Sequence, residues 1–343
     1  MAHLPFTRPT DFLREREFGP KIEASFDFVR AHFLPLGRCL VYIVLPLLLL
    51  QGIATGLMQA RMGGVLNTWR TALKNQGNQA ASMQRLTEMI NGPEYWLALV
   101  ASLFSFTLLV LTVYGYVVLR LEKEDPAAPV TVPEVWALVR QRFVGALLSF
   151  FGLALGVVVA AAAISFVLIM LGRLLSTNPA MAVLLVFVIY GAMAYAMVVL
   201  SLFFIVQLRE RTGFFATIGR CFTLVWGKWW STFGLIVVMS ILLLLLVMVV
   251  YTGTTLISAP FAIDPGHTPT VLGRITSVVA ACLNSVAFMA LYPLLFLALA
   301  FQYFNLVERK EGHGLHALVN SIGRQPEPLT QPRSFPAEDE GEY

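Results

Sequence analysis

The chain has 343 residues, of which 57% are hydrophobic and only 13% charged, about half the charged share of an ordinary soluble domain. This composition excludes such a domain, because the apolar residues form long runs without Lys, Arg, Asp or Glu. The net charge is +4, but the sequence has neither the block of Lys and Arg nor the aromatic stacking platform that is typical of nucleic-acid binding. We therefore expect no nucleic-acid partner.

Six runs meet the length of about 20 apolar residues that a helix needs to cross a bilayer. In chain order they are Cys39 to Ala60, Tyr95 to Leu119, Phe143 to Gly172, Ala180 to Gln207, Thr232 to Ser258 and Ile275 to Tyr303. Barrel strands would alternate apolar and polar residues, and stretches such as LIVVMSILLLLLVMVV do not. The sequence predicts an all-α, polytopic membrane helix bundle: a cytoplasmic N-terminal segment (1–36), a six-helix transmembrane domain (37–308) and a cytoplasmic tail (309–343).

The residues before the first run differ from a cleaved signal peptide. About 35 mixed residues, acidic ones among them, precede the run, whereas signal peptides pass directly from a short basic stretch to an apolar one. We expect the protein to be anchored by its own helices.

Basic residues favour alternate connections. The N-terminal segment, the second and fourth connections and the C-terminal segment hold eighteen of the 24 Lys and Arg residues. Because positively charged segments stay on the cytoplasmic side, this bias predicts that both termini lie in the cytoplasm.

A four-residue apolar pattern precedes each odd-numbered run. Its spacing i, i+4, i+7, i+11 places the four side chains on one helical stripe, and the second and fourth are always aromatic. Such a stripe is typical of a helix lying in the headgroup region. The pattern predicts three cytoplasmic interfacial helices, each followed by two spans, as a three-fold internal repeat; convergence on interface chemistry is the alternative explanation. The stripes are Ile22, Phe26, Val29 and Phe33; Val132, Trp136, Val139 and Phe143; and Ile218, Phe222, Val225 and Trp229.

Basic residues lie beside these stripes, where they could meet lipid phosphates. Membrane lipids are accordingly the first expected partners, and other membrane proteins the second. The candidate lipid-headgroup contacts are Arg30, Arg140, Arg142, Arg220 and Lys228.

The remaining segments carry weaker signals. Residues 61–93 predict a small helical cap on the outer face, and SAPFAIDPGHTP a tight outer loop. His313 and His316 could share a helix face, but without further ligands they do not make a metal site. The Pro-rich and then acidic composition predicts disorder from about residue 325.

The sequence carries no recognisable reaction centre. The middle of every run lacks ionisable residues, and no HExxH, GxSxG, P-loop or dinucleotide motif occurs. The scattered cysteines form no CxxC pair and are expected to pack as small apolar side chains. We expect no catalytic residue, metal or cofactor. The cysteines are Cys39, Cys221 and Cys282.

A few polar or helix-breaking residues lie inside the runs, and three of them carry a structural expectation. Asn284 is expected to form a hydrogen bond between helices, and Pro46 and Pro293 can kink the first and sixth runs.

The segment LFFIVQLRERTGFFATIGRCFTLVWGKWWSTFGL resembles a recurring element of bacterial six-helix membrane proteins, and QYFNLVERKEGHGL resembles the end of stand-alone members from the Bacteroidetes. This group is similar to the membrane domain that precedes the catalytic domain of some glycerophosphodiester phosphodiesterases. The likeness covers about residues 17–323. The resemblance implies a six-helix membrane fold and a location in the bacterial inner membrane. It implies no activity, because the catalytic domain has no counterpart here.

Together these features predict a non-enzymatic scaffold or accessory subunit of a membrane complex. The alternative is a transporter or exporter of an apolar or lipidic solute, which would not need intramembrane charges. An intramembrane enzyme is the third reading, and it would need Glu, Asp and His side chains to converge in one interfacial pocket.

Overall fold

The computed structural model describes residues 6, 9–59, 87, 90–123, 128–174, 179–262 and 271–312, which contain helices and no strand. The predicted outer cap falls almost wholly outside these residues. So do Asp264 and His267, which belong to the predicted outer loop SAPFAIDPGHTP, and the tail from 313 onward. The helices are α1 (Pro9–Phe12), α2 (Phe18–Gln59), α3 (Pro93–Glu122), α4 (Val132–Leu174), α5 (Pro179–Leu200), α6 (Phe203–Glu210), α7 (Phe214–Val225), α8 (Trp229–Ala262) and α9 (Val271–Glu311).

Six helical stretches of the described chain are long and apolar enough to span a membrane. They are α2, α3, α4, α5 together with α6, α8 and α9. Each coincides with one of the six predicted runs, which confirms the all-α membrane bundle. The protein is therefore an integral, multi-pass membrane protein.

α9 lies at the centre of the bundle. It packs along α8 and also contacts α2, α3, α6 and α7. Its last four turns, from Pro293 to Glu308, are almost entirely buried. Phe301 lies 6.2 Å from Phe12 and 6.0 Å from Phe28, measured between ring centroids. The densest part of the core is thus an aromatic cluster near the C-terminal end of α9.

The four segments with most of the basic residues meet at this same end, which we call the basic end. It comprises the described residues 9–21, 120–123, 128–134, 209–231 and 305–312. Ion pairs connect them: Arg209 Nη1 lies 3.1 Å from Glu122, and Arg309 Nε lies 3.8 Å from Glu15. The segments that the charge bias assigned to one side of the membrane are therefore neighbours in the fold.

α2 departs from regular α-helix at two places, and a proline follows each. At His32, three residues before Pro35, the helix is kinked and the backbone angles are non-helical (φ −115°, ψ 21°), because the proline ring disturbs the preceding turn. The backbone widens into a π turn at Leu40–Val44, just before Pro46. A kink at Pro46 itself stays a prediction, and α9 continues as one helix through Pro293.

The three segments that carry the repeated apolar pattern differ in how they join their spans. The first is continuous with its span through the bend at His32, and the second continues through α4 as one helix of 43 residues. Only the third, α7, is a separate helix, because the chain turns at Gly227 (φ 81°) before α8 begins. Glycine adopts this left-handed backbone conformation readily. The other two segments have no glycine at the position that corresponds to Gly227.

Away from the basic end the helices differ in how closely they pack. α2 approaches α9 closely, because Gly52 and Gly56 present no side chain to it. By contrast, α4 has no buried side chain anywhere between Phe151 and Met170.

Candidate functional site at the basic end

A cavity of about 110 Å³ lies at the basic end, where the start of α2, the start of α8 and the last turns of α9 meet. Four of its lining residues are cationic and one is a carboxylate. The lining residues are Arg16, Glu17, Phe18, Lys21, Lys228, Ser231, Asn305, Leu306 and Arg309. Positive charge therefore dominates the cavity.

Lys21 is the most deeply placed of these cations. Only 3% of its surface is exposed, and its Nζ donates a hydrogen bond to Ser231 Oγ at 3.3 Å. Arg309 and Lys228 line the same cavity and carry the same charge. A buried ammonium among like charges is costly, so an anion in the cavity would stabilise this arrangement.

Arg16 forms one wall and is held by several contacts. Its backbone N–H donates to Asn305 Oδ1 at 2.8 Å, and its guanidinium donates to the backbone oxygens of Phe12 and Asp11. The guanidinium carbon also lies 5.3 Å from the centre of the Phe301 ring, within cation–π range. Burial, together with the charge of Arg14, lowers the pKa of Arg16 while Asp11 opposes the shift. The side chain stays cationic, because an arginine is not deprotonated in proteins.

A second polar cluster surrounds Arg220 on α7. Its Nε donates to both carboxylate oxygens of Glu210, at 3.0 and 2.9 Å, and its Nη2 pairs with Glu311. The hydroxyl of Tyr303 donates to Glu210 Oε1 at 3.1 Å. Partial burial lowers the pKa of Arg220, but the hydrogen bonds to Glu311 and Glu210 outweigh this and raise it above its usual value. The cluster ties α6, α7 and α9 together.

The five predicted lipid-headgroup contacts are divided among different surroundings. Arg30 and Arg140 are exposed, and Arg142 is half-buried. Lys228 lines the cavity, whereas the guanidinium of Arg220 is engaged by two carboxylates. Headgroup contact remains a prediction for all five.

Sequence reasoning missed Arg16, Lys21 and Arg309 as cavity residues. A signal for Lys21 existed, because Lys21, Ser25, Phe28 and His32 repeat the spacing of the predicted stripe one residue earlier. This second stripe is the buried one. Lysine, serine and histidine are seldom core residues, so their pattern alone did not mark this stripe as buried.

Asn284 takes the predicted role between helices: its Oδ1 accepts a hydrogen bond from Thr254 Oγ1 at 3.2 Å, which joins α8 to α9. Nearer the basic end, Gln302 Nε2 donates to Thr232 Oγ1 at 2.8 Å across the same pair of helices. Hydrogen bonds of this kind fix how two apolar helices are aligned along each other.

The remaining reactive side chains do not assemble. Among the described residues, no three His, Cys, Asp or Glu side chains come together as a metal would require. Cys39 and Cys221 are buried free thiols. Burial raises the pKa of Cys221 to about 12, helped by the charge of Glu210, which leaves this thiol unreactive at neutral pH.

Comparison with known proteins adds no further assignment. No family model, curated protein or solved structure matches the chain. The resemblance to the membrane domain of glycerophosphodiester phosphodiesterases therefore stays a prediction.

Proposed function

We propose that this protein is a non-enzymatic scaffold or accessory subunit of a complex in the bacterial inner membrane, with both termini in the cytoplasm. The observation that carries the proposal is a sparsely packed part of α4 and α5. No side chain from Leu155 to Met170, and none from Val186 to Ala194, is buried, whereas Leu153 and Tyr195, just outside these ranges, pack against the core. The sparsely packed surfaces could receive a transmembrane helix of a partner protein.

Small residues on α4 support a helix as the occupant. Gly156, Ala160 and Ala163 are exposed at spacing i, i+4, i+7, and nothing lies within 4 Å of the Cβ position of Gly156. Small residues let helix backbones approach closely within a membrane. The protein uses the same device internally, where Gly52 and Gly56 pack on the backbone of α9.

The polar residues of the basic end also support a structural role. Arg220, Glu210 and Glu311 bind one another, and Glu122 pairs with Arg209 and Arg211. Side chains held in mutual ion pairs stabilise a platform, whereas catalysis needs a nucleophile or base presented to a substrate. A platform of this kind suits an accessory subunit.

A transporter of an apolar solute, the second function considered, has less support. It would need a continuous apolar path between the repeats, whereas the cavity at the basic end is lined mostly by charged and polar side chains.

Affinity purification of the full chain from its native membrane in mild detergent tests the proposal. We expect a second membrane protein to copurify and to be lost in the G156L variant, because the leucine blocks close approach to α4. The matched control, V158L, alters an exposed residue away from the small-residue stripe and should retain the partner. Recovery of the protein alone, or equal retention by both variants, contradicts the proposal.

A further inference from the structure

We propose that the cavity at the basic end binds a phosphate group, either of an anionic lipid headgroup or of free phosphate. This goes beyond the proposed function, because the cavity could take the ligand whether or not α4 holds a partner. The inference starts from the charges of the lining. Arg16, Lys21, Lys228 and Arg309 face one carboxylate of the lining, Glu17, and Arg309 has a further, distant partner in Glu15 at 3.8 Å.

The buried position of Lys21 is the strongest single observation. Its side chain reaches the cavity from the first turn of α2, and the hydroxyl of Ser231 is its hydrogen-bond partner within the described chain. An ammonium has three donors. Within the described chain Lys21 has no ion pair, so its remaining donors could bind an anion that balances its charge.

Two helix N-termini add to the positive potential. α2 begins at Phe18 and α8 at Trp229, so the first turns of both helices border the cavity. At α8 the backbone N–H groups of Ser231 and Thr232 already donate to the backbone oxygen of Lys228, at 3.2 and 3.3 Å, and Pro20 in the first turn of α2 has no N–H. The contribution of these helix ends is therefore mainly the helix dipole, which favours an anion there. Glu17, which precedes α2, makes no side-chain capping bond to it.

The donors suit phosphate better than a carboxylate. Lys21, Lys228 and Arg309 supply charged N–H groups, and the Oδ1 of Asn305 accepts from Arg16, which leaves its amide nitrogen as a donor. Phosphate carries more acceptor oxygens than a carboxylate and up to two negative charges. A set of several cations around one small cavity matches that charge.

The surroundings explain why a lipid is one of the two sources. Phe18 lines the cavity, and Trp226 and Trp230, on either side of Lys228, are each about three-quarters exposed. Exposed tryptophans in membrane proteins favour the headgroup level. A lipid phosphate at that depth lies level with the cavity, whereas free phosphate would enter from the aqueous side.

Thermal unfolding of the purified full-length protein, followed by tryptophan fluorescence, tests the inference in two arms. In the first arm inorganic phosphate is titrated against chloride at equal ionic strength. In the second, the detergent micelles contain phosphatidic acid or, as the reference, phosphatidylcholine. A ligand that binds only the folded protein raises the unfolding temperature in a saturable way. We expect saturation in at least one arm, and which arm responds identifies the source.

Two variants remove cavity charges, and one removes a charge elsewhere. K21Q and K228Q should weaken the apparent affinity roughly tenfold or more, the loss expected for one charge-assisted hydrogen bond. R38Q removes an exposed charge from the same helix as Lys21, at a residue outside both the cavity and the predicted headgroup contacts, and should leave the affinity unchanged. Because Lys228 is exposed, K228Q still tests the cavity if the K21Q variant does not fold. The absence of a saturable response in both arms, or an equal loss in K228Q and R38Q, overturns the inference.

Discussion

Two glycines set the distance between α2 and α9 in the part of the bundle away from the basic end. A Cβ on Gly52 would lie 2.8 Å from Cα of Cys282, and one on Gly56 would lie 2.5 Å from Cα of Val278. The obstacle in each case is backbone, which cannot rotate away as a side chain can. These two residues are therefore fitted to a direct contact between helices.

The G56A variant should destabilise the protein by about 1–3 kcal/mol, because the added methyl group forces α9 away and disturbs the packing around it. G191A is the matched control, since nothing lies within 4 Å of that Cβ position. Both substitutions gain the same helix propensity, so their difference isolates the contact. Unfolding temperatures in one detergent give the comparison, and equal values would contradict the close approach.

At the scale of a single helix, α2 shows what the sequence could predict and what it could not. The spacing of its apolar residues predicted a helix from Ile22 to Phe33, and a helix is present. The direction of the helix could not be read from the pattern alone. Phe26 and Phe33 point outward, and the stripe one residue earlier, with Phe28 and Lys21, faces the bundle.

The direction in which α2 faces depends on the medium around the helix. In water the apolar stripe of an amphipathic helix turns inward, but in a membrane an outward apolar side chain meets lipid at no cost. Polar residues such as Lys21, Ser25 and His32 then turn to the protein interior. The positions of the membrane spans follow from composition alone, so the sequence could predict them. The cavity could not be predicted, because it depends on which stripe of α2 faces α9.

A pair of phenylalanines on α2 tests this orientation. F28A should cost about 3–5 kcal/mol of unfolding free energy, because Phe28 is fully buried in the aromatic cluster beside Phe12 and Phe301. F33A should cost far less, since two-thirds of the Phe33 side chain is exposed. Thermal unfolding of both variants in the same detergent measures the difference, and a reversed order would show that the helix faces the other way.

Across the whole molecule, the charge bias and the fold agree on one arrangement. Four segments hold eighteen of the 24 basic residues. The described parts of these segments that form the basic end contain eleven of them, and ion pairs connect several of these parts. The positive-inside rule assigns that end to the cytoplasm. The proposed headgroup contacts, the phosphate site and the orientation of both termini all depend on this assignment.

Labelling of introduced cysteines with a membrane-impermeant maleimide in intact bacterial cells tests the assignment most directly. Cys39 and Cys221 are buried, and a C282S background removes the third native thiol. N91C, an exposed position just before α3, should react in intact cells, whereas T131C, an exposed position at the basic end, should react only after the cells are opened. Labelling of T131C in intact cells, with N91C protected, would contradict the proposed orientation.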